Sequence, residues 1–184
     1  MCSYHQQAVV VVFFSYLLLI FSLHDRIRNL KMLEIGFGCE HHVVGRSALV
    51  WKKYFEDIKY YGMDFFPWTE PQFRDDNATK CVKKFQHEHP NITEKVWFGD
   101  QGNVSFLLEV AAEYAKMSGA GGGAGSSKEK ATWDIIIDDG GHYKELIETS
   151  FATLWQFVSP GGYYIVEDLN MGYESNDRKH LHSV

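Results

Sequence analysis

Apolar positions along this chain follow two rhythms. Short runs rich in β-branched or aromatic residues occur at Lys31 to Gly38, Ile58 to Met63, Val96 to Phe98, Ile135 to Ile137 and Tyr163 to Val166. Each is too brief for a helix and predicts a buried strand. Between them apolar residues recur at the helical period. One helix is expected from about Ser47 to Phe55, and a second, capped by Asp76 or Asn77, carries Cys81, Val82 and Phe85 before Pro90. A third, capped by Asn103, carries Phe106, Leu107, Val110, Ala111 and Tyr114 on one face. A fourth carries Leu146, Ile147, Phe151, Leu154, Trp155 and Val158, and the turn chemistry of Ser159-Pro160-Gly161-Gly162 is expected to stop it. Strand, helix, strand in this order makes a βαβ unit whose strands run parallel, so the chain predicts an α/β fold.

Three segments fall outside this alternation. Residues 1–29 form an apolar leader, nearly all apolar from Ala8 to Leu23 and broken only by Ser15, Tyr16 and Ser22. A span needs roughly 17 to 25 such residues, so the run is marginal for crossing a bilayer and is expected to be either a membrane anchor or a packing helix before the first strand. No basic n-region precedes it and no small-residue cleavage site follows it, which disfavours a cleaved signal peptide. Arg26, Arg28 and Lys31 come just after it and put the remainder of the chain in the cytoplasm. Residues 118–130, rich in Gly, Ala and Ser, predict a flexible surface loop, and residues 171–184 a polar tail in which His180 and His182 are assigned no metal. The principal domain is therefore residues 30–170.

Composition narrows the classes. The chain has 184 residues, 45% apolar and 15% aromatic, enough for a single good core. A net charge of −6 with no block of Lys and Arg argues against a nucleic-acid partner. Cys2, Cys39 and Cys81 are widely spaced and predict neither a zinc site nor a disulfide framework. Asn77, Asn91 and Asn103 head Asn-X-Ser/Thr triplets, which are acceptors only in a secretory lumen and occur often by chance.

The chemistry lies at the strand ends. Asp138 and Asp139 follow one strand of the βαβ unit, and Glu167 and Asp168 follow the other. Neighbouring strands lie about 4.8 Å apart, so these carboxylates would meet at the sheet edge where α/β folds bind ligands. Such crowding calls for a shared proton or a bound cation, and oxygen ligands suit Mg²⁺, Mn²⁺ or Ca²⁺ rather than zinc. His142, three residues after Asp139, is a candidate general base at the same place. Upstream, Gly36-Phe37-Gly38 is a turn that lets a ligand approach the backbone, but a dinucleotide fingerprint would place a third Gly where this chain has His41. Asp64 ends the next strand, where an acid can bind a ribose diol.

Leu-Glu-Ile-Gly-Phe-Gly, Tyr-Gly-Met-Asp, Phe-Gly-Asp-Gln-Gly, Asp-Ile-Ile-Ile-Asp-Asp-Gly-Gly-His and Pro-Gly-Gly-Tyr-Tyr-Ile-Val-Glu-Asp, in that order, resemble the class I S-adenosylmethionine-dependent methyltransferases. Within them the chain is similar to the metal-dependent sugar O-methyltransferases of the macrocin and mycinamicin type, over Leu30 to about Asn170. The resemblance implies a Rossmann-like, doubly wound, mostly parallel sheet that stops before the family's last two strands and leaves the fifth strand with an exposed edge. It implies S-adenosyl-L-methionine, with Glu34, Gly36 and Gly38 at its methionine end, Asp64 at the ribose, Asp100 and Gln101 at the adenine, and Asp138 in the same cofactor site. It implies Mg²⁺ or Mn²⁺ on Asp139, Glu167 and Asp168, with His142 taking a proton from a hydroxyl of a sugar or polyol-like small molecule. Two alternatives stand beside it: a truncated or non-catalytic nucleoside-binding module, and a hydroxylase-like enzyme on the same scaffold. The residues say nothing of oligomeric state.

Overall fold

The computed structural model describes residues 10–12, 29–39, 44–55, 57–65, 77–119 and 131–169. Among the described residues there are six strands: β1 Val10–Val12, β2 Lys31–Ile35, β3 Lys59–Asp64, β4 Lys95–Phe98, β5 Trp133–Asp138 and β6 Val158–Val166. Among the same residues one α-helix follows each of β2 to β5: α1 Arg46–Tyr54, α2 Asn77–Glu88, α3 Val104–Met117 and α4 Lys144–Leu154, the last followed by a 3₁₀ turn, Trp155–Phe157. All pairings are parallel, in the order β1-β6-β5-β2-β3-β4. The chain winds outward from β2 through β3 to β4, then crosses back to β5 and winds the other way. The reversal falls between β2 and β5, the topological switch point at which open α/β sheets bind ligands.

Burial on both faces explains the uninterrupted apolar strands. On one face α3 and α4 bring Leu107, Val110, Tyr114, Ile147 and Leu154 onto Leu33, Ile35, Met63, Ile136 and Tyr164. On the other, Trp51 of α1 with Val82 and Phe85 of α2 cover Met32, Tyr60, Ile135, Ile137 and Ile165. Ile135, Ile136 and Ile137 thus divide between the two cores by strand alternation.

Three expectations are corrected. Val10–Val12, within the apolar leader, is a strand rather than a helix, paired Val10↔Tyr164, Val11↔Ile165 and Val12↔Val166, so β6 has no open edge along these residues. Hydropathy alone cannot separate a buried β-branched strand from a helix. No helix among the described residues is long and apolar enough to cross a membrane. Residues 13–28, the loop beyond residue 119 and the tail beyond residue 169 lie outside the described residues. Second, Ser159-Pro160-Gly161-Gly162 does not stop the helix. It lies inside β6, where Gly161 adopts φ 79° and the register against β5 shifts between Trp133 and Ile135. An interior bulge uses the same Pro and Gly chemistry as a turn. Third, Cys39 and Cys81 form a disulfide with their Cα atoms 5.9 Å apart. The two cysteines are 42 residues apart in sequence and belong to different elements, so only the packing of the glycine turn against α2 brings them together.

Candidate active site

Backbone hydrogen bonds carry the sheet one step past its strands. Gly36 N donates to Met63 O at 2.8 Å, Asp139 N to Ile35 O at 2.9 Å, Glu167 N to Asp138 O at 2.9 Å and Gly99 N to Asp64 O at 3.0 Å. Level strand ends are what deliver these acids to one edge. There they border a cavity of about 710 Å³, whose wall includes Glu34, Gly36, Gly38, Asp64, Asp100, Gln101, Asp139, His142 and Asp168. Asp138 and Glu167 are the expected site residues absent from that wall.

The glycine turn is built to be approached closely. Gly36 has φ 100° and Gly38 φ 80°, conformations costly for any residue with a Cβ. A Cβ on Gly36 would also collide with the carbonyl oxygen of Asp139, so the turn packs directly on the backbone after β5. Gly45 N donates to Phe37 O at 3.0 Å, closing the loop into α1. Cys39 N donates to Asp64 Oδ2 at 2.7 Å, which fixes that carboxylate against the same loop.

Glu34 is 3% exposed. Burial pushes its carboxyl up to about 7, against the pull of hydrogen bonds with Ser47, Tyr60 and Trp51, and the charge of Glu167 adds to the rise. The Tyr60 hydroxyl donates to it at 2.7 Å. Tyr60 was missed from sequence because Glu34 pairs with Gly62, and only that register shows Tyr60, two residues earlier, to share Glu34's face.

Asp139, His142 and Asp168 each offer a ligand atom, and the three atoms lie within 4.8 Å of one another. His142 Nε2 is 4.0 Å from Asp139 Oδ1. Burial, then the charges of Glu167, Glu34, Asp168 and Asp138, push the Asp139 carboxyl up to about 7. The expected metal trio of Asp139, Glu167 and Asp168 is therefore only partly gathered: His142 stands in the compact group and Glu167 does not. Val166 faces the α3–α4 side and Ile165 the other, so Glu167 falls on the face of Glu34 and Asp139, where its charge comes first among those that raise the Asp139 carboxyl, while Asp168 turns back through a left-handed φ of 49°. An oxygen-rich pocket with charge in excess fits a hard divalent cation and, beside it, a cationic sulfonium. Arg46, Phe65 and Tyr143 also line the cavity. Sequence reading missed them because it looked for acids and glycines, and an aromatic or Arg at an element boundary has no distinguishing spacing.

Two expected cofactor residues do other work. Asp138 is 1% exposed, and its carboxylate is turned into the core, where Gln101, Ser150 and Tyr164 donate to it. Asp138 therefore does not reach the cavity, because its β5 position alternates away from Asp139. Gln101 reaches the wall, but both ends of its amide have protein partners. Asp100 Oδ1 accepts from Gly102 N at 2.7 Å within its own turn.

No protein-family model matches the chain. Among characterised proteins it is 33% identical to demethylmacrocin O-methyltransferase of Streptomyces fradiae, over 80% of this chain and 29% of that protein. It is 29% identical to mycinamicin VI 2''-O-methyltransferase of Micromonospora griseorubida, with the same coverage of 80% and 29%. Among solved structures it matches the MycE methyltransferase from the mycinamycin biosynthetic pathway in complex with Mg and SAH, with a TM-score of 0.59 and 26% identity over 86% of this chain and 35% of that one. The same enzyme with Mg, SAH and mycinamycin VI matches with a TM-score of 0.57 and 26% identity, over 84% of this chain and 31% of that one. The chain thus spans under a third of the length of these characterised relatives, 29%.

Proposed function

We propose that this chain, which has the class I S-adenosylmethionine-dependent methyltransferase fold and is related to the macrocin- and mycinamicin-type sugar O-methyltransferases, transfers a methyl group from S-adenosylmethionine to a hydroxyl of a sugar or polyol-like small molecule. One observation carries the reading: Asp139, His142 and Asp168 converge beside a glycine turn on a single cavity. Gly36 and Gly38 admit the methionine end of the donor, Asp64 the ribose, and Asp100 the adenine side. Asp139, Asp168 and Glu167 would hold Mg²⁺ or Mn²⁺, which supplies Lewis acidity to the acceptor hydroxyls. His142 takes the proton of the attacking hydroxyl as its oxygen bonds to the methyl carbon and the sulfonium carbon–sulfur bond breaks. Donor and acceptor held in line within this cavity would react with less loss of entropy in the reaction step, which lowers the barrier.

Calorimetry with S-adenosylmethionine, with and without Mg²⁺, together with methyl transfer to vicinal-diol glycosides, tests this. Donor binding and Mg²⁺-dependent transfer are expected. Donor binding with no Mg²⁺ effect and no transfer would leave a non-catalytic nucleoside-binding module, and no donor binding at all would remove both readings.

A further inference from the structure

The turn that presents Asp139 and His142 is braced by a buried side chain from a different loop. Gln101, 4% exposed, follows β4 and reaches across the sheet edge at the cavity wall. Its Nε2 donates to Asp138 Oδ1 at 3.1 Å, and its Oε1 accepts from Gly141 N at 2.7 Å. Asp138 in turn accepts from Ser150 of α4 and from the Tyr164 hydroxyl of β6, the latter at 3.1 Å. One amide therefore joins the β4–α3 loop to β5 and to the turn after it, and Asp138 extends that joint to α4 and β6. The fit is tight: a Cβ on Gly140 would run into Gln101 Oε1, and one on Gly141 into Leu146. Asp139 and His142 flank the two glycines that rest on this amide, and His142 holds a left-handed φ of 53°. A non-glycine residue keeps that conformation only where its surroundings impose it.

We propose that Gln101 is a positioning residue: it sets the path of the 139–142 turn, and through that path the spacing of Asp139 and His142, without touching substrate. Its consequence for turnover rests on the methyl-transfer reading; its geometry does not. An Asn, one methylene shorter, could not span both partners, and a Glu could accept from Gly141 but not donate to Asp138.

Gln101→Leu in the full chain tests this with two readouts. Amide exchange of Gly141, measured by NMR without metal or donor, is expected to quicken about tenfold or more while that of Ile136 in β5 stays unchanged. Turnover is expected to fall about tenfold or more with the S-adenosylmethionine Kd within about threefold, since the turn and not the donor contact is disturbed. Unchanged Gly141 exchange would overturn the proposal, as would a donor Kd that rises in step with the lost turnover. If Gln101→Leu does not fold, Gln101→Met, nearer in length, takes its place under the same criteria. If the wild type transfers no methyl group, the function fails and the exchange arm alone decides the role of Gln101.

Discussion

His142 combines a left-handed backbone with φ 53°, half-burial and a place 4.0 Å from Asp139, and each of these narrows what the imidazole can do. Were it only a helix cap, its loss would leave the site's chemistry intact, and the α4 N-cap is in any case Tyr143. As the proton acceptor, His142→Ala is expected to lower kcat by about 10²- to 10⁴-fold while the S-adenosylmethionine Kd, measured by calorimetry, stays within about twofold. Surviving turnover would remove the general-base assignment. At this scale the sequence was legible wherever a residue type is rare for its position: acids at strand ends, glycines at positive φ, one His three residues after an Asp. It was not legible where orientation decides. Asp138 and Asp139 are adjacent and chemically alike, yet strand alternation sends the first to Ser150 and Tyr164 and the second to the cavity.

Among the elements, the glycine turn after β2 is fastened at three points. The Gly36 amide is bonded to β3, the Cys39 amide to Asp64, and the Cys39 sulfur to Cys81 of α2. Cross-linking residues 42 apart removes loop entropy from the unfolded chain, a contribution of about 2 to 4 kcal/mol. Cys81→Ser, which alters α2 and not the cavity wall, is expected to lower the urea-derived stability by that amount and to weaken donor binding by loosening the turn. Wild-type protein under reductant should behave like the variant. A wild type indifferent to reductant would mean that the bond does not contribute to the fold. From β2 onward the strands and helices were readable from periodicity, with α1, β3 and β4 within a residue of expectation, whereas β1 was not read as a strand and β6 begins at Val158 where the sequence predicted Tyr163. The disulfide was not readable, since nothing in the spacing of Cys39 and Cys81 distinguishes them from free thiols.

For the whole molecule the charge concentrated at one sheet edge sets the response to pH. Glu34 and Asp139 are both pushed up to about 7, chiefly by burial and then, for Asp139, by neighbouring carboxylates. The folded state therefore binds these protons more tightly than the unfolded chain, whose carboxyls titrate near about 4. The stability they contribute is present below that range and is lost as pH rises through about 7, where both become buried charges. A divalent cation offsets this by replacing the protons. The midpoint of thermal unfolding in chelator is thus expected to fall between about pH 4.5 and about pH 7 from these groups, and Mg²⁺ should raise it more at about pH 8 than at about pH 5. Equal Mg²⁺ effects at the two pH values would argue that these carboxylates do not face the ion.

Periodicity, turn residues and the acids closing each strand were enough to determine the α/β class, the parallel βαβ unit and the edge at which the chemistry gathers, because these depend on local steric preference and on which residues tolerate burial. Only the tertiary structure decided that Val10–Val12 covers the edge of β6, that Cys39 meets Cys81, that His142 joins Asp139 and Asp168 in one compact group, and that Gln101, on the cavity wall, has its amide bonded to Asp138 and Gly141. Each of those depends on register or on contacts between elements distant in the chain. A one-residue change of register reverses every side chain of a strand, and no local pattern reports it.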